Sequence, residues 1–457
     1  MLFRSGAPAS ACANLAPTEG AIVGYEPTWE SVREHPLPDW YDDAKLGVFV
    51  HWGLYSVPGW APQVPDIQTM LVHDGPRRML SHNPYAEWYR NTMRIPGSPT
   101  QRHHRETYGA DFAYDDFIPM FDAGTADCDL DAIAGLAQEA GAGYVVLTTK
   151  HADGFALWPS TVPHPRRGEY HARRDLVGGL TDTVRARGLR MGLYYCGGYD
   201  WAYTERTMRR GADLLLAIPT EAEYERFAAT QVRELIERYR PSILWGDVAW
   251  PVGDRLEDLI AEYRAAVPDG IVNDRWAVIP GLDGRMRRAL LAGAGRMAEA
   301  LWTRLPDARR RLAFPPSAVH DITTPEYEIP TGIRAERWEA TRGVGHSFGL
   351  NRNEDPDAIL TAAALVRLLC DVVARNGNLL IGVGPDASGT VPDVQAAPMR
   401  GLGDWMRVHG AVIRAGRPWF DGPPVSERGA PRYLVVDGSV HALVDATDAP
   451  TDRKSTR

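Results

Sequence analysis

Apolar runs that turn polar only at their last residues recur along the chain, with helical stretches between them. LGVFVHW (46–52), YVVLTT (144–149), RMGLYYC (190–196), SILWGD (242–247), GIVNDRW (270–276) and NLLIGVGP (378–385) follow this pattern. Short near-continuous runs of β-branched and aromatic residues predict strands covered on both faces. Between them, a 3.6-residue period predicts helices over 129–142, with Asp129 as a cap, and over 175–188, 221–239, 257–267 and 357–377, the last with a Gly stop. Strands alternating with helices predict an α/β chain folded as a (β/α)8-like, TIM-type barrel. The rival is a doubly wound sheet, which places its site behind a Gly-rich phosphate turn. No GxGxxG or GxxxxGK follows any of these strands.

Two segments break the alternation. An Arg-, Ala- and Leu-rich tract over about 281–316 predicts an inserted helix with a solvated charged face. Beyond residue 414, the apolar stretches 433–436 and 440–444 flank a DGS turn and predict the opening hairpin of a β domain that the chain does not finish. The expected organisation is an N-terminal extension (1–28), a catalytic barrel (29–415) entered through WESVREHPLPDWY (29–41), and an incomplete C-terminal β domain (416–457). The opening MLFRS and closing DRKSTR read as appended sequence and carry no fold information.

A chain of 457 residues accommodates a large barrel plus a smaller domain. Its net charge of -9 argues against nucleic acid as the main partner and suits a neutral small substrate. No apolar run approaches the roughly eighteen residues of a membrane helix, so no membrane partner is expected. Cys12, Cys128, Cys196 and Cys370 show neither CxxC spacing nor zinc-type histidine pairing, which predicts free thiols and favours a reducing, cytoplasmic address. A periplasmic or secreted address stays open because the native N-terminus is expected to be absent. The histidines form no HExxH or HxH pattern, so neither a metal nor another cofactor is expected. A homo-oligomer is left open.

The strand exits carry the candidate chemistry. Asp247 closes an apolar strand between Trp245 and Trp250, where barrel enzymes place catalytic groups, although an N-cap for the next helix is the alternative. His51 closes the first strand before an aromatic loop, as a sugar ligand or a satisfied core histidine. Glu87 in NPYAEWY (83–89) stands among Tyr85, Trp88 and Tyr89, facing a sugar or the surface. With His151, Tyr194, Trp245, Arg275 and Glu326 these make a set of carboxylates, imidazoles, aromatics and one guanidinium. Such a set suits cleavage of a glycosidic bond in a polyhydroxylated ring, whereas phosphoryl transfer needs more cations and a phosphate cradle.

The motifs LGVFVHWGLYSVPGW (46–60), NPYAEWY (83–89), VVLTTKHADGFALW (145–158), RDLVGGL (174–180), GLYYCGGYDW (192–201), LWGD (244–247), VNDRW (272–276), SFGLNRNE (347–354) and NGNLLIGVGP (376–385) together resemble glycoside hydrolase family 29, the α-L-fucosidases of bacterial type. The resemblance runs from about residue 29 to about residue 419. It implies a barrel followed by a C-terminal β-sandwich, here only its truncated start, and retaining exo-hydrolysis of α-linked L-fucose from fucosylated oligosaccharides or glycoconjugates. It also implies Asp247 as nucleophile and Glu326, in TPEY (324–327), as general acid/base. Glu87 would be a sugar ligand, although an equivalent Glu is the acid/base in some relatives. The remaining substrate ligands implied are His51, Trp88, His151, Tyr194, Trp245 and Arg275, with Phe49, Tyr85 and Phe348 walling the sugar's C6 methyl.

The chain departs from the family pattern at Ala152, where KHHDGF has a second histidine, and in the insertion that separates Asp247 from Glu326 by 79 residues. One lost hydroxyl contact costs about 1–3 kcal/mol. The insertion is expected to leave the placement of Glu326 less secure than that of Asp247, and the truncated sandwich is expected to expose apolar surface. Two other functions remain open on these residues: a non-hydrolytic fucose-binding pseudoenzyme, and a related glycosidase with altered preference, such as one taking β-D-galactosides.

Overall fold

A computed structural model of the protein describes residues 24–251, 255–278, 285–307, 310, 317–423 and 431–444. Cys12, most of the N-terminal extension, the outer parts of the 281–316 tract and the DRKSTR end lie outside the described residues.

Seven parallel strands form one curled sheet in the order β5-β4-β3-β2-β1-β7-β6. They are β1 (Leu46–Val50), β2 (Tyr144–Lys150), β3 (Arg190–Cys196), β4 (Ile243–Asp247), β5 (Ile271–Val272), β6 (Trp338–Gly343) and β7 (Gly377–Val383). Every residue of β1, β2 and β7 is buried, as strands sandwiched between helices and barrel interior must be. In the central register Val48 faces Val145 on one side and Ile381 on the other. Between the edge strands lies the irregular segment 322–326. It bridges to Asn273, just past β5, through Ile322, and to β6 through Thr323–Trp338 and Glu326–Thr341. Pro325 has no N–H to donate to a ladder, which helps keep this segment from becoming a regular strand.

Helices wrap the sheet where the periodicity places them, with ends trimmed by their caps. Asp129 accepts from the N–H groups of Asp131 and Ala132 at the start of Leu130–Glu139, and Asp175 from Gly178 at the start of Leu176–Ala186. Ala222–Tyr239 and Leu256–Ala266 follow. Thr361 caps Ala362–Ala374, so the stretch read from 357 begins instead with a separate turn at Pro356–Ala358. The inserted tract contains a helix, Arg285–Leu301.

Two elements differ from the sequence reading. The strand expected over 270–276 stops after Val272, because the Asn273 side chain takes over the pairing with β4. β6 is a strand the hydrophobic pattern did not predict. Its WEATRG sequence carries Glu339, Thr341 and Arg342, yet Glu339 is fully buried.

At the C-terminal side, β8 (Arg417–Pro418), β9 (Arg432–Val436) and β10 (Ser439–Leu443) make a separate antiparallel sheet. Asp437 and Gly438 both take positive φ in its hairpin turn, the geometry that suits a two-residue connection. Leu434 is fully buried, and Arg432 pairs with Asp371 of the helix Ala362–Ala374, tying this sheet to the barrel.

Candidate active site

Asp247 ends β4 and points into a cavity of about 510 Å³ at the C-terminal ends of the strands. It does not cap the helix Leu256–Ala266, whose N-cap residue is Arg255 and whose cap takes no side-chain hydrogen bond. Its Oδ2 accepts a hydrogen bond from the Tyr194 hydroxyl at 2.7 Å and its Oδ1 one from Arg275 Nη1 at 3.0 Å. Tyr194 sits directly across from Trp245 on the neighbouring strand β3. Burial and the adjacent Asp247 charge hold the Tyr194 hydroxyl well above its ordinary pKa, so it stays a donor.

Each polar residue of VNDRW has its own task. The Asn273 amide exchanges two hydrogen bonds with the Gly246 backbone, at 2.8 and 2.9 Å, fixing the residue before Asp247. Asp274 accepts from the N–H and hydroxyl of Thr324. Arg275 in turn donates to the Thr324 hydroxyl and carbonyl, both at 3.0 Å. The segment that carries Glu326 is thereby anchored to the strand next to Asp247. The 79-residue separation and the insertion therefore do not displace it.

Glu326 accepts from the Tyr85 hydroxyl at 2.6 Å and from Arg275 Nη1 at 2.9 Å. One guanidinium nitrogen thus touches both carboxylates, so the two contacting oxygens lie no more than about 6 Å apart. A pair that shares a nucleophile and an acid stands about 5–5.5 Å apart, whereas a pair with a water between them needs about 6.5–9.5 Å. Burial alone would lower the Arg275 pKa, but the Glu326 and Asp247 charges outweigh it and hold the guanidinium charged. The cation also lies 4.9 Å above the Trp245 ring. The residues following both carboxylates, Val248 and Tyr327, have positive φ without being glycine. Such left-handed backbone is strained for a β-branched or bulky side chain and concentrates at sites where geometry is imposed.

The other expected site residues converge on the same cavity. His51 and His151 lie 6.1 Å apart, and Nδ1 of each is buried without a hydrogen-bond partner among the described residues. His51 is therefore not a satisfied core histidine. Burial lowers both pKa values, that of His151 to about 4 with the Asp247 charge opposing, so both rings are neutral near pH 7. Phe348 stacks on His51 and lies 6.1 Å from Phe49 and 5.5 Å from Tyr85, making one apolar wall. Trp88 is half-buried, edge-on to Tyr199 and Trp201. Ala152 also lines the cavity.

Glu87 is 1% exposed, so the surface alternative fails. Its Oε2 accepts from the Gly349 N–H at 2.9 Å, an approach that a Cβ at 349, only 3.0 Å from that oxygen, would crowd. Burial, outweighing hydrogen bonds from backbone N–H groups, raises its carboxyl to about 7. Because this folded-state value lies above the ordinary 4.5, the stability that Glu87 contributes is complete below about pH 4.5 and is lost as pH rises through about 7. Glu87→Gln is expected to gain melting temperature relative to the unaltered protein between about pH 5 and about pH 8. Calorimetry at both values checks this, and a constant difference would remove the buried charge as its cause.

Sequence reasoning missed Glu339. Its carboxylate accepts from Trp245 Nε1 at 3.1 Å and from the hydroxyls of Tyr41 and Tyr144, and burial raises its pKa. Trp245 therefore offers the cavity its ring face, not its N–H. Tyr85, expected as a wall, also holds Glu326. No group of three or more His, Cys, Asp or Glu among the described residues could hold a metal ion.

A family model described as Alpha-L-fucosidase matches residues 13–411. The Dictyostelium discoideum protein named Alpha-L-fucosidase is 30% identical over 405 residues, covering 86% of this chain and 75% of that protein. The Homo sapiens Tissue alpha-L-fucosidase is 27% identical over 404 residues, covering 86% and 73%. Among solved structures, Thermotoga maritima alpha-fucosidase in complex with a mechanism-based inhibitor is 38% identical with a TM-score of 0.71, covering 91% of this chain and 84% of that one. The same enzyme in complex with fucose is 37% identical with a TM-score of 0.71, covering 91% and 85%.

Proposed function

The chain belongs to the alpha-L-fucosidase family, and from that membership we propose that it is a retaining exo-α-L-fucosidase that releases terminal α-linked L-fucose from oligosaccharides or glycoconjugates. Asp247 attacks the anomeric carbon to form a covalent fucosyl-enzyme. Glu326 protonates the departing oxygen and then takes the proton of the water that frees fucose. The observation that carries this reading is the shared contact of Arg275 Nη1 with both carboxylates. In the first step Asp247 loses its charge to the new ester bond while Glu326 becomes anionic. Arg275 touches both, so its positive charge remains paired throughout and little reorganisation is needed. The tyrosine hydroxyls of Tyr194 and Tyr85 fix the other oxygen of each carboxylate.

His51, His151, Glu87 and Trp88 hold the sugar, the neutral imidazoles lining the cavity where its hydroxyls would lie. The Trp245 face supports the ring, and Phe49, Tyr85 and Phe348 cover the C6 methyl. A hexose with a 6-hydroxyl is rejected because that hydroxyl would be buried against rings without a partner.

Incubation with an aryl α-L-fucoside tests the proposal. Release of the aryl group, with NMR showing α-fucose as the first-formed product, is the expected result. β-Fucose as first product would exclude a retaining mechanism, and fucose binding without release would leave a pseudoenzyme.

A further inference from the structure

Beyond the sugar-holding groups, the cavity has a second, apolar side that the catalytic roles leave unused. Ile67 and Leu71, one helical turn apart on the helix Ile67–Asp74, line it together with Met79 and Leu214. Ile67 is half-buried, whereas Leu71, Met79 and Leu214 are almost fully covered and show only a face to the cavity. This side lies on the acid's flank. Gln68 of the same helix reaches the Glu326 carbonyl at 3.4 Å, so the wall stands beside the group that protonates the departing oxygen. Gln68, Ser317 and His320 also line the cavity.

The inserted tract braces this wall. Trp302, which follows the helix Arg285–Leu301, is buried and donates its indole N–H to the Leu71 carbonyl at 2.9 Å. Glu299 accepts from the Gly211 N–H at 2.6 Å, and Gly295 lies so close to Ala212 that a side chain there would collide with it. Those contacts fix the turn before Asp213–Leu216, the helix that presents Leu214. The insertion therefore contacts both segments that form the apolar side.

We propose that Ile67, Leu71, Met79 and Leu214 form a leaving-group subsite for an apolar aglycone, an alkyl chain or an aromatic ring, and that the insertion supports it through Trp302. This rests on the assignment of Glu326 as the acid. Apolar walls gain from burying methylene or ring surface and offer nothing to the hydroxyls of a second sugar.

Methyl and octyl α-L-fucoside test the subsite in the unaltered protein. Both leaving groups are primary alkoxides of nearly equal basicity, so acid catalysis acts alike on the two and only contact with the chain differs. The expected kcat/KM ratio, octyl over methyl, is about tenfold or more, the equivalent of burying roughly two methylenes. A ratio near one, or a fucosyl disaccharide taken better than the octyl glycoside, overturns the subsite and leaves the fucosidase reading intact. If neither glycoside is hydrolysed, it is the fucosidase reading that fails. Calorimetric binding of the two glycosides to Asp247→Gly then still decides the subsite, tighter octyl binding supporting it and equal binding refuting it. Trp302→Ala is expected to bring the ratio toward one. General loss of fold lowers both rates together and leaves the ratio in place, so an unchanged ratio would remove the insertion from the subsite.

Discussion

Asp247→Gly is expected to lower kcat on an aryl α-L-fucoside by on the order of 10⁴-fold or more, while azide or formate restores part of the rate as a fucosyl azide or formate. The substitution removes the nucleophile but leaves its surroundings held by other bonds. Tyr194 remains stacked between His151 and Trp245, and Arg275 remains fixed by Thr324 and Glu326. A small anion can then occupy the volume of the lost carboxylate beside the guanidinium and attack from the same face. The rescued product is expected to have the configuration opposite to that of the substrate, since only one displacement occurs. Chromatography and NMR of the products check this, alongside a melting curve to verify the fold. An undiminished rate without azide would take Asp247 out of the mechanism.

Glu326→Ala is expected to reduce kcat/KM by on the order of 10³-fold for a fucoside with an alkyl or sugar leaving group, and far less for an activated aryl group that departs without a proton. The contrast between substrates is the diagnostic, because a mere disturbance of binding would lower both. Glu87 is the competitor. It is a buried carboxyl held near 7 with no cation in contact among the described residues, a state suited to giving up a proton at neutral pH. Its carboxylate is nonetheless tied to the Gly349 N–H, while Glu326 shares Arg275 with Asp247. Glu87→Ala is accordingly expected to weaken both classes of substrate alike. If it instead spares the activated aryl fucoside while Glu326→Ala does not, the acid and the ligand are exchanged.

Local pattern was a good guide wherever a side chain's surroundings follow from its own strand or helix. The runs at 46–52, 144–149, 190–196 and 378–385 each hold a strand, because residues sandwiched on both faces are mostly apolar along its length. Asp129 and Asp175 cap helices because their oxygens reach N–H groups only two or three residues away. The same local logic failed at β6 and β5. Glu339 looks like a solvent residue until three donors from Tyr41, Tyr144 and Trp245 satisfy its carboxylate, and Asn273 ends a strand by substituting its side chain for backbone.

By itself the sequence determined the alternating α/β architecture, the exits at which polar groups gather, and, through its motifs, the family and the two acidic residues to examine. Tertiary structure alone decided that one Arg275 nitrogen joins Asp247 to Glu326, that Tyr85 serves the acid as well as the apolar wall, and that the insertion braces the cavity instead of displacing Glu326. The reason is physical. Strand and helix periods are set by neighbours a few residues apart, whereas a buried charge is tolerated only where partners from remote segments converge on it, and no linear pattern records that convergence.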